Sequence, residues 1–382
     1  RLPLWNPHVF CGHDHAGSLQ PAVFSPIRSA FGLLPPATGL SLYVLFHACL
    51  AAAGTALFLR GRRSTIVAAV TGAAVLTFSG YLLSKLGQPT TLATGAWLPW
   101  LVWGADRWWR RGSWRTAGLL ALLAAVCFLS GHVQVFVLVV MAVGLFLLGS
   151  VLRGNVARIP VRRRVVQGLV VALLGLGMVA PRLVGFWRSA PTTRGPAAEA
   201  VPPSKRPAPE LAWSVVVPEP FGSPANSTFD RYRLEDRLQV SADERASWHA
   251  GGLLYPGALA LVLLPVGLAH LRRHAYPIVF VPWLHEAART WVPGLGVSPL
   301  DRLLLLAHFG WALIAAAGVD LLRRAPRRPA AALIAAGAGL AGAAVAAFHL
   351  LHGSWPASAN AWVHPVAAIA AVSAVGAIAA VA

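Results

Sequence analysis

Carboxylates are scarce in this sequence, 13 Asp and Glu among 382 residues, so each one outside a charged loop is a place to look for chemistry. Asp14 stands between His13 and His15, close to Cys11. Such a group can act as a general base or, with both imidazoles, hold a divalent cation. It can equally form a polar loop closed by local hydrogen bonds. No second ligand pair at metal-site spacing accompanies it, so no metal site is assigned and a divalent cation is the lesser reading. Glu286 falls in a short, polar span with His285, Arg289 and Trp291. A Glu286–Arg289 pair at i,i+3 would satisfy both charges, and ionisable groups at membrane depth also mark cavities. Asp301 opens an apolar stretch, where the helix dipole favours an acid, and Arg302 beside it can pair with it or reach a headgroup.

The cations divide into two groups. Lys85 ends an apolar run near Gln88, where an ammonium on a flexible stem can meet a phosphate or snorkel to the interface. Arg182, Arg188 and Arg194 follow Pro181 and call for an anionic partner. His132 and Gln134 stand at a turn between two short apolar runs, placed to touch hydroxyls or to cap helix ends. His47 lies beside Ala51 to Ala53 and Gly54, small residues that mark a close helix contact, so a packed histidine is expected there. Trp97, Trp100, Trp103, Trp108, Trp109 and Trp114 surround one short run and read as an interfacial belt, with Trp97 able to stack on a sugar ring.

The elements that hold these residues are membrane helices. Hydrophobic residues make up 57% of the chain and charged residues 12%, about half the usual share of a soluble domain. Leu/Ala/Val-rich runs are continuous rather than alternating, which excludes a β-barrel reading. The expected fold is an all-α, polytopic integral membrane protein with about eleven spans. They run at roughly 38–59, 65–84, 90–106, 116–130, 133–152, 165–187, 252–270, 276–292, 300–322, 330–351 and 365–382. Those at 90–106, 116–130 and 276–292 are short and suit half-helices or tilted pieces buried in protein.

The net charge of +19 would suggest nucleic acid in a soluble chain, but its placement argues for anchoring. Eighteen basic residues fall in five clusters: Arg60 to Arg63, Arg107 to Arg115, Arg153 to Arg164, Arg272 with Arg273, and Arg323 to Arg328. Two spans separate each cluster from the next, so all five land on one side, the cytoplasmic one. Segment 1–37 and the nearly neutral loop 188–251 then lie on the opposite side, with helices at 38–187 and 252–382 between and after them. Both outer segments are long enough to cap a cavity. A chain that starts outside requires a preceding span, so an N-terminal piece is expected ahead of Arg1, and the final apolar run at Ala382 also looks cut. Cys11, Cys49 and Cys127 read as unpaired.

Several motifs occur in order: Leu-Pro-Leu-Trp-Asn-Pro at 2–7, Cys-Gly-His at 11–13, Gln20, Phe-Ser-Pro at 24–26, Phe-Ser-Gly at 78–80 and Trp-Leu-Pro at 97–99. Ser-Gly-His-Val-Gln at 130–134, Pro181 closing a span, Pro-Glu-Pro-Phe-Gly at 218–222, Tyr-Pro-Gly at 255–257 and Pro-Leu-Asp-Arg at 299–302 follow. In this order they resemble the bacterial YfhO-type membrane proteins, which are similar to the GT-C superfamily of glycosyltransferases. That resemblance covers most of residues 1–322. It implies a GT-C-like helical fold in the bacterial cytoplasmic membrane with outer loops over the working face. It implies transfer of a sugar from a polyprenyl-phosphate donor to a cell-envelope acceptor, with the bilayer and not nucleic acid as the other partner. It also implies a base in an outer loop upstream of residue 1, with Asp14 and Glu286 the candidates within this chain. Lys85, Arg188 and Arg302 would hold the donor phosphate, and Gln20, Trp97, His132 and Gln134 would contact sugar or acceptor. The family tends to read Gly-x-Pro where this chain has Gly12-His13-Asp14. A transporter or flippase of a lipid-linked saccharide is the alternative, and a non-catalytic membrane scaffold is a third reading. A transporter should carry internal repeats with paired broken helices, and no such two-half symmetry is visible in the sequence.

Overall fold

Hydroxyls, prolines and one left-handed glycine set the helix boundaries in this chain. The computed structural model describes residues 5–6, 13–14, 21–152, 161–193, 256, 258–270, 275, 277–278 and 300–324. Within them the regular elements are helical apart from one short antiparallel ladder of β1 (Trp5–Asn6) and β2 (His13–Asp14), which sets Trp5 opposite Asp14. Ser25 caps α1 (Pro26–Phe31) by accepting from the Arg28 amide at 3.3 Å, and Pro26 starts the helix where no amide is needed. The long α2 (Pro36–Gly61) follows. Thr65 then caps α3 (Ile66–Thr77) through the Ala68 amide. Next come α4 (Gly80–Ser84), a 3-10 turn at Lys85–Gly87, α5 (Pro89–Gly95) and α6 (Leu98–Arg111). Gly112, at φ 57°, ends α6 by returning its amide to the Trp108 carbonyl, a left-handed cap that glycine takes without steric penalty. Ser113 caps α7 (Trp114–Leu129), and α8 (Val133–Leu152), α9 (Val161–Thr193), α10 (Ala258–His270) and α11 (Leu300–Leu322) complete the described elements.

Five stretches among the described residues are long and apolar enough to cross a membrane: Pro36–Gly61, Ile66–Gly87, Val133–Leu152, Arg162–Gly185 and Leu303–Leu322. The apolar window of Arg162–Gly185 is only 11% buried. It presents Leu169, Leu173 and Leu176, each more than half exposed. Contiguous apolar surface of this extent is unfavourable in water and is covered by lipid.

Three expectations change in detail. The span expected at 65–84 is a broken helix: Phe78 and Ser79 interrupt it, and Ser79 Oγ closes the gap by donating to the Leu76 carbonyl at 2.7 Å. The span expected at 90–106, short enough to suit half-helices, is two helices, α5 and α6, parted at Ala96 and Trp97, where Pro99 has no amide to continue the ladder of α5. Pro181 does not close a span, since α9 runs through it to Thr193. The spans expected at 330–351 and 365–382, nearly all of 276–292, and the loop beyond Thr193 lie outside the described residues.

The chain forms two compact units. In the first, residues 1–54 with 85–204, α6 packs on α7 and α8, α7 on α9, and α5 on α8. The expected small-residue contact beside His47 is present there. A side chain at Gly54 would meet the indole of Trp100 at 2.5 Å, and Trp100 Nε1 donates to the Leu50 carbonyl at 2.7 Å. His47 is fully buried, with its Nδ1 bonded to the Tyr43 carbonyl at 2.7 Å. In the second unit, residues 55–84 with 205–382, α11 is the centre and packs on α3, α4 and α10. Asp320 of α11 reaches the start of α3 and accepts from the Thr65 amide at 2.9 Å and the Thr65 hydroxyl at 2.8 Å. Gly267 of α10 lies so close to α11 that a Cβ there would collide with the Ile314 carbonyl. Helix pairs in membranes rely on such close approach because lipid supplies no hydrophobic drive between helices.

Gly267→Ala should therefore destabilise the protein by about 1–3 kcal/mol, the usual cost of overpacking. Gly118→Ala, where an added methyl meets nothing within 4 Å, should leave stability unchanged. Thermal unfolding of the two variants in one detergent decides this.

Candidate functional site

The turn between α7 and α8 gathers polar groups that an apolar environment would otherwise leave unsatisfied. A helix ends with carbonyls that have no partner in the helix, and the next begins with amides in the same position. Here Arg182 of α9 supplies donors to the first set. Its guanidinium, 1% exposed, donates from Nη1 to the Phe128 carbonyl and from Nη2 to the Gly131 carbonyl, both at 3.1 Å. The negative end of the α7 dipole thus compensates the charge of a buried arginine. The guanidinium also lies 5.3 Å from the centre of the Phe128 ring. Ala125, Phe128 and Val179 form an apolar plug beside it, bordered by Leu129, Val133, Phe136 and Leu183.

The start of α8 is satisfied by its neighbours. The His132 amide donates to Thr94 Oγ1 at 3.1 Å, and Thr94 in turn donates to the Thr90 carbonyl at 2.9 Å. His132 Nδ1 accepts from the Val135 amide at 3.4 Å, so the imidazole caps α8 and a neutral ring carries its proton on Nε2. Trp97 Nε1 donates to Ser130 Oγ at 3.1 Å, and Ser130 passes its own proton to the Val126 carbonyl at 2.9 Å. Gly131 at φ 119° makes the reversal. Thr94, Trp97, Ser130 to His132 and Arg182 thus form one corner, built from α5, the start of α6, the α7–α8 turn and α9.

Of the residues singled out in the sequence, Trp97 and His132 meet in this corner, both buried, and Gln134 is exposed in the first turn of α8. Trp97 is therefore a pillar of the corner rather than a belt residue. Lys85 is buried, at 3% exposure, in the 3-10 turn that leads into α5. Asp14 is held in the ladder opposite Trp5, which joins two of the sequence motifs through their backbones. Arg188 lies in the last turns of α9 and Arg302 in the first turn of α11. Gln20 and Glu286 lie outside the described residues. Thr94 and Arg182 complete the corner although neither stands among the donor- or sugar-contact residues that the sequence suggests. Arg182 had a signal, a cation within an apolar run; Thr94 had none. Among the described residues no three His, Cys, Asp or Glu side chains converge as a metal site.

The opposite ends of the same helices look different. Around the α6–α7 turn lie Arg107, Arg110, Arg111 and Arg115, and beside it the first turns of α9 carry Arg162 to Arg164. Trp108 Nε1 donates to Gln167 Oε1 at 3.1 Å, and Gln167 Nε2 donates to the Gly112 carbonyl at 2.8 Å, which ties α9 to that turn. At 1.5 Å per residue, the 16 residues of α7 place this edge about 24 Å from the polar corner. That separation is close to the thickness of a bilayer's hydrocarbon core.

Membrane-length apolar helices, lipid-facing leucines and polar groups collected at the helix ends define a multi-pass helical membrane protein. No family model matches the sequence, and no curated protein or solved structure matches it either.

Replacing Arg182 by Leu should leave the Gly131 carbonyl without the donor that Arg182 supplies and the Phe128 carbonyl with only a 3.3 Å bond from the Gly131 amide, at about 1–3 kcal/mol. Gly131→Ala should cost about 1–3 kcal/mol through the strained φ alone. Chemical unfolding in detergent should rank Arg182→Leu as the more damaging; equal stability to wild type would remove the corner as a structural keystone.

Proposed function

We propose that this chain is a glycosyltransferase of the cytoplasmic membrane, similar to YfhO-type and GT-C proteins, that takes a sugar from a polyprenyl-phosphate donor at the extracytoplasmic face. One observation carries the reading. Trp97 of Trp-Leu-Pro and Ser130 to His132 of Ser-Gly-His-Val-Gln, parts of two motifs behind the resemblance, meet in one polar corner that Arg182, next to Pro181, closes. The side opposite the arginine-rich edge is the outer side by the positive-inside rule, so the corner faces the envelope. In this reading the chain has about eleven spans, with segment 1–37 and loop 188–251 on the corner's side.

The reaction breaks the bond between the anomeric carbon and the phosphate oxygen, and the phosphate departs with the electron pair. An acceptor hydroxyl forms the new bond and gives up its proton to a carboxylate. Asp14 and Glu286 are the carboxylates of this chain with that role. Lys85, Arg188 and Arg302 neutralise the departing phosphate. Gln134, exposed beside the buried His132, offers both a donor and an acceptor to sugar hydroxyls. Trp97 and His132 act by holding the corner. Gln20 is assigned to acceptor contact on the resemblance alone. No divalent cation is required by this scheme.

A second reading is a transporter or flippase for a lipid-linked saccharide. The breaks at Ser79 and at Ala96 favour it, because discontinuous helices are how transporters offer backbone to a substrate. Those breaks are consecutive in the chain rather than in corresponding halves, which leaves the transferase as the main proposal.

Proteoliposomes containing the full-length protein, supplied with a labelled polyprenyl-phosphate sugar and envelope acceptors, test the assignment. Transfer should fall about tenfold in Arg302→Ala, the loss expected for one charge-assisted contact, and by about threefold to tenfold in Gln134→Ala, which removes a neutral hydrogen bond. Asp14→Asn should abolish it if Asp14 is the base. Label that crosses the bilayer without changing carrier would replace the transferase reading by the transporter one. Rates unchanged in all three variants would remove those residues from the site.

A further inference from the structure

The arginine-rich edge is more than a topological anchor, and its character does not depend on the transferase reading. Asp106 is the only carboxylate between Asp14 and Glu199, and it is already taken by Arg110 one turn away. The other arginines of this edge have no acid within that stretch of sequence to neutralise them. Most are exposed, as expected for side chains that reach headgroups.

Arg164 differs from them. It is 8% exposed, and its guanidinium carbon stands 3.8 Å over the centre of the Trp109 ring. Stacking of this kind fixes the guanidinium plane and leaves its edge to bind an anion. Both Nε and Nη2 are buried and have no hydrogen-bond partner among the described residues. Buried donors without acceptors are costly, so this arrangement calls for an acceptor from outside the chain. The position specifies which kind. Arg164 is the third residue of a membrane-length stretch that starts at Arg162, at the depth where headgroup phosphates lie. Arg107 stacks on Trp103 at 4.7 Å on the same edge, so aromatic and cationic groups alternate there as they do at lipid interfaces.

We propose that the edge formed by the end of α6, the α6–α7 turn and the first turns of α9 binds the phosphate of an anionic phospholipid, with Arg164 on Trp109 as the inner ligand and exposed arginines such as Arg111 and Arg115 as its rim. A planar fork matches two phosphate oxygens at once, which a lysine cannot do. A zwitterionic lipid presents the same phosphate with a choline beside it, and the surrounding arginines repel that group. The site is accordingly selective for net negative headgroups.

The test titrates the purified full-length protein in detergent with phosphatidylglycerol and, separately, with phosphatidylcholine, and counts retained lipids by native mass spectrometry. Wild type should retain one phosphatidylglycerol about tenfold more tightly than phosphatidylcholine, the factor expected from one charge-assisted fork. R164Q should bring phosphatidylglycerol to the phosphatidylcholine level, and R164K should fall between. R115Q, on the rim, should change retention by no more than about twofold, the value of an exposed charge. If R164Q does not yield folded protein, R164K and W109L carry the test, since both keep or spare the charge while losing the stacked fork. Phosphatidylglycerol binding that is unchanged in R164K and W109L overturns the proposal, as does equal retention of the two lipids. Displacement of the lipid by inorganic phosphate alone would make the site one for a soluble anion and would also overturn the lipid assignment.

Discussion

Every helix end placed inside an apolar slab leaves backbone groups that water cannot reach, and that one constraint organises the described structure. The chain meets it with side chains brought from elsewhere. Arg182 reaches across from α9 to the end of α7. Thr94 serves the start of α8, and Ser79 bridges the gap after α3. Asp320 crosses from α11 to the amide and hydroxyl of Thr65, whose own Oγ1 caps α3. In each case a polar residue within an apolar sequence has a backbone partner distant in the chain or at a break. The helices can then be short and interrupted without exposing unsatisfied peptide groups to lipid.

Satisfied breaks are also what make polar chemistry compatible with this environment. Where α7 turns into α8, the requirement to saturate carbonyls and amides concentrates a guanidinium, an imidazole, an indole and two hydroxyls in one corner. About 24 Å away, the other end of α7 has no such demand, since Gly112 and Ser113 close their helices locally. That end instead gathers arginines and tryptophans. The two ends of one helix therefore differ in kind: one is an enclosed hydrogen-bond network, the other an open cationic surface.

Which features were visible in the sequence follows from the range of the interactions. Spans such as 133–152 and 300–322 were legible to within a residue because an uninterrupted apolar run has one reading. The stretch 90–106 reads as too short for a full span and suited to half-helices, but the place of its break is not legible because a hydropathy window averages over the interruption ahead of Pro99. Likewise, Pro181 signalled an end that the helix ignores, since losing one amide does not terminate a long ladder supported on both sides. Individual site residues were legible as motifs, yet their relations were not. Trp97 stands out among the tryptophans as a candidate sugar contact, but its bond to Ser130, 33 positions away, which makes it internal, is not legible in the sequence. Arg182 drew notice as a cation out of place, but the carbonyls it serves carry no sequence signature at all.

The helix α9 has a further property that follows from being pinned twice. Its apolar stretch is bare along most of its length, yet Arg164 near one end stacks on Trp109 and Arg182 near the other grips the α7 carbonyls. Eighteen residues separate the two arginines, a rise of about 27 Å. A rod fixed at one end to α6 and at the other to α7, with lipid along its side, cannot lengthen or shorten to suit the bilayer. A membrane thinner or thicker than that interval must deform around it or tilt α6, α7 and α9 together. Bilayer thickness thereby becomes a mechanical load on the polar corner, carried by the guanidinium that closes it.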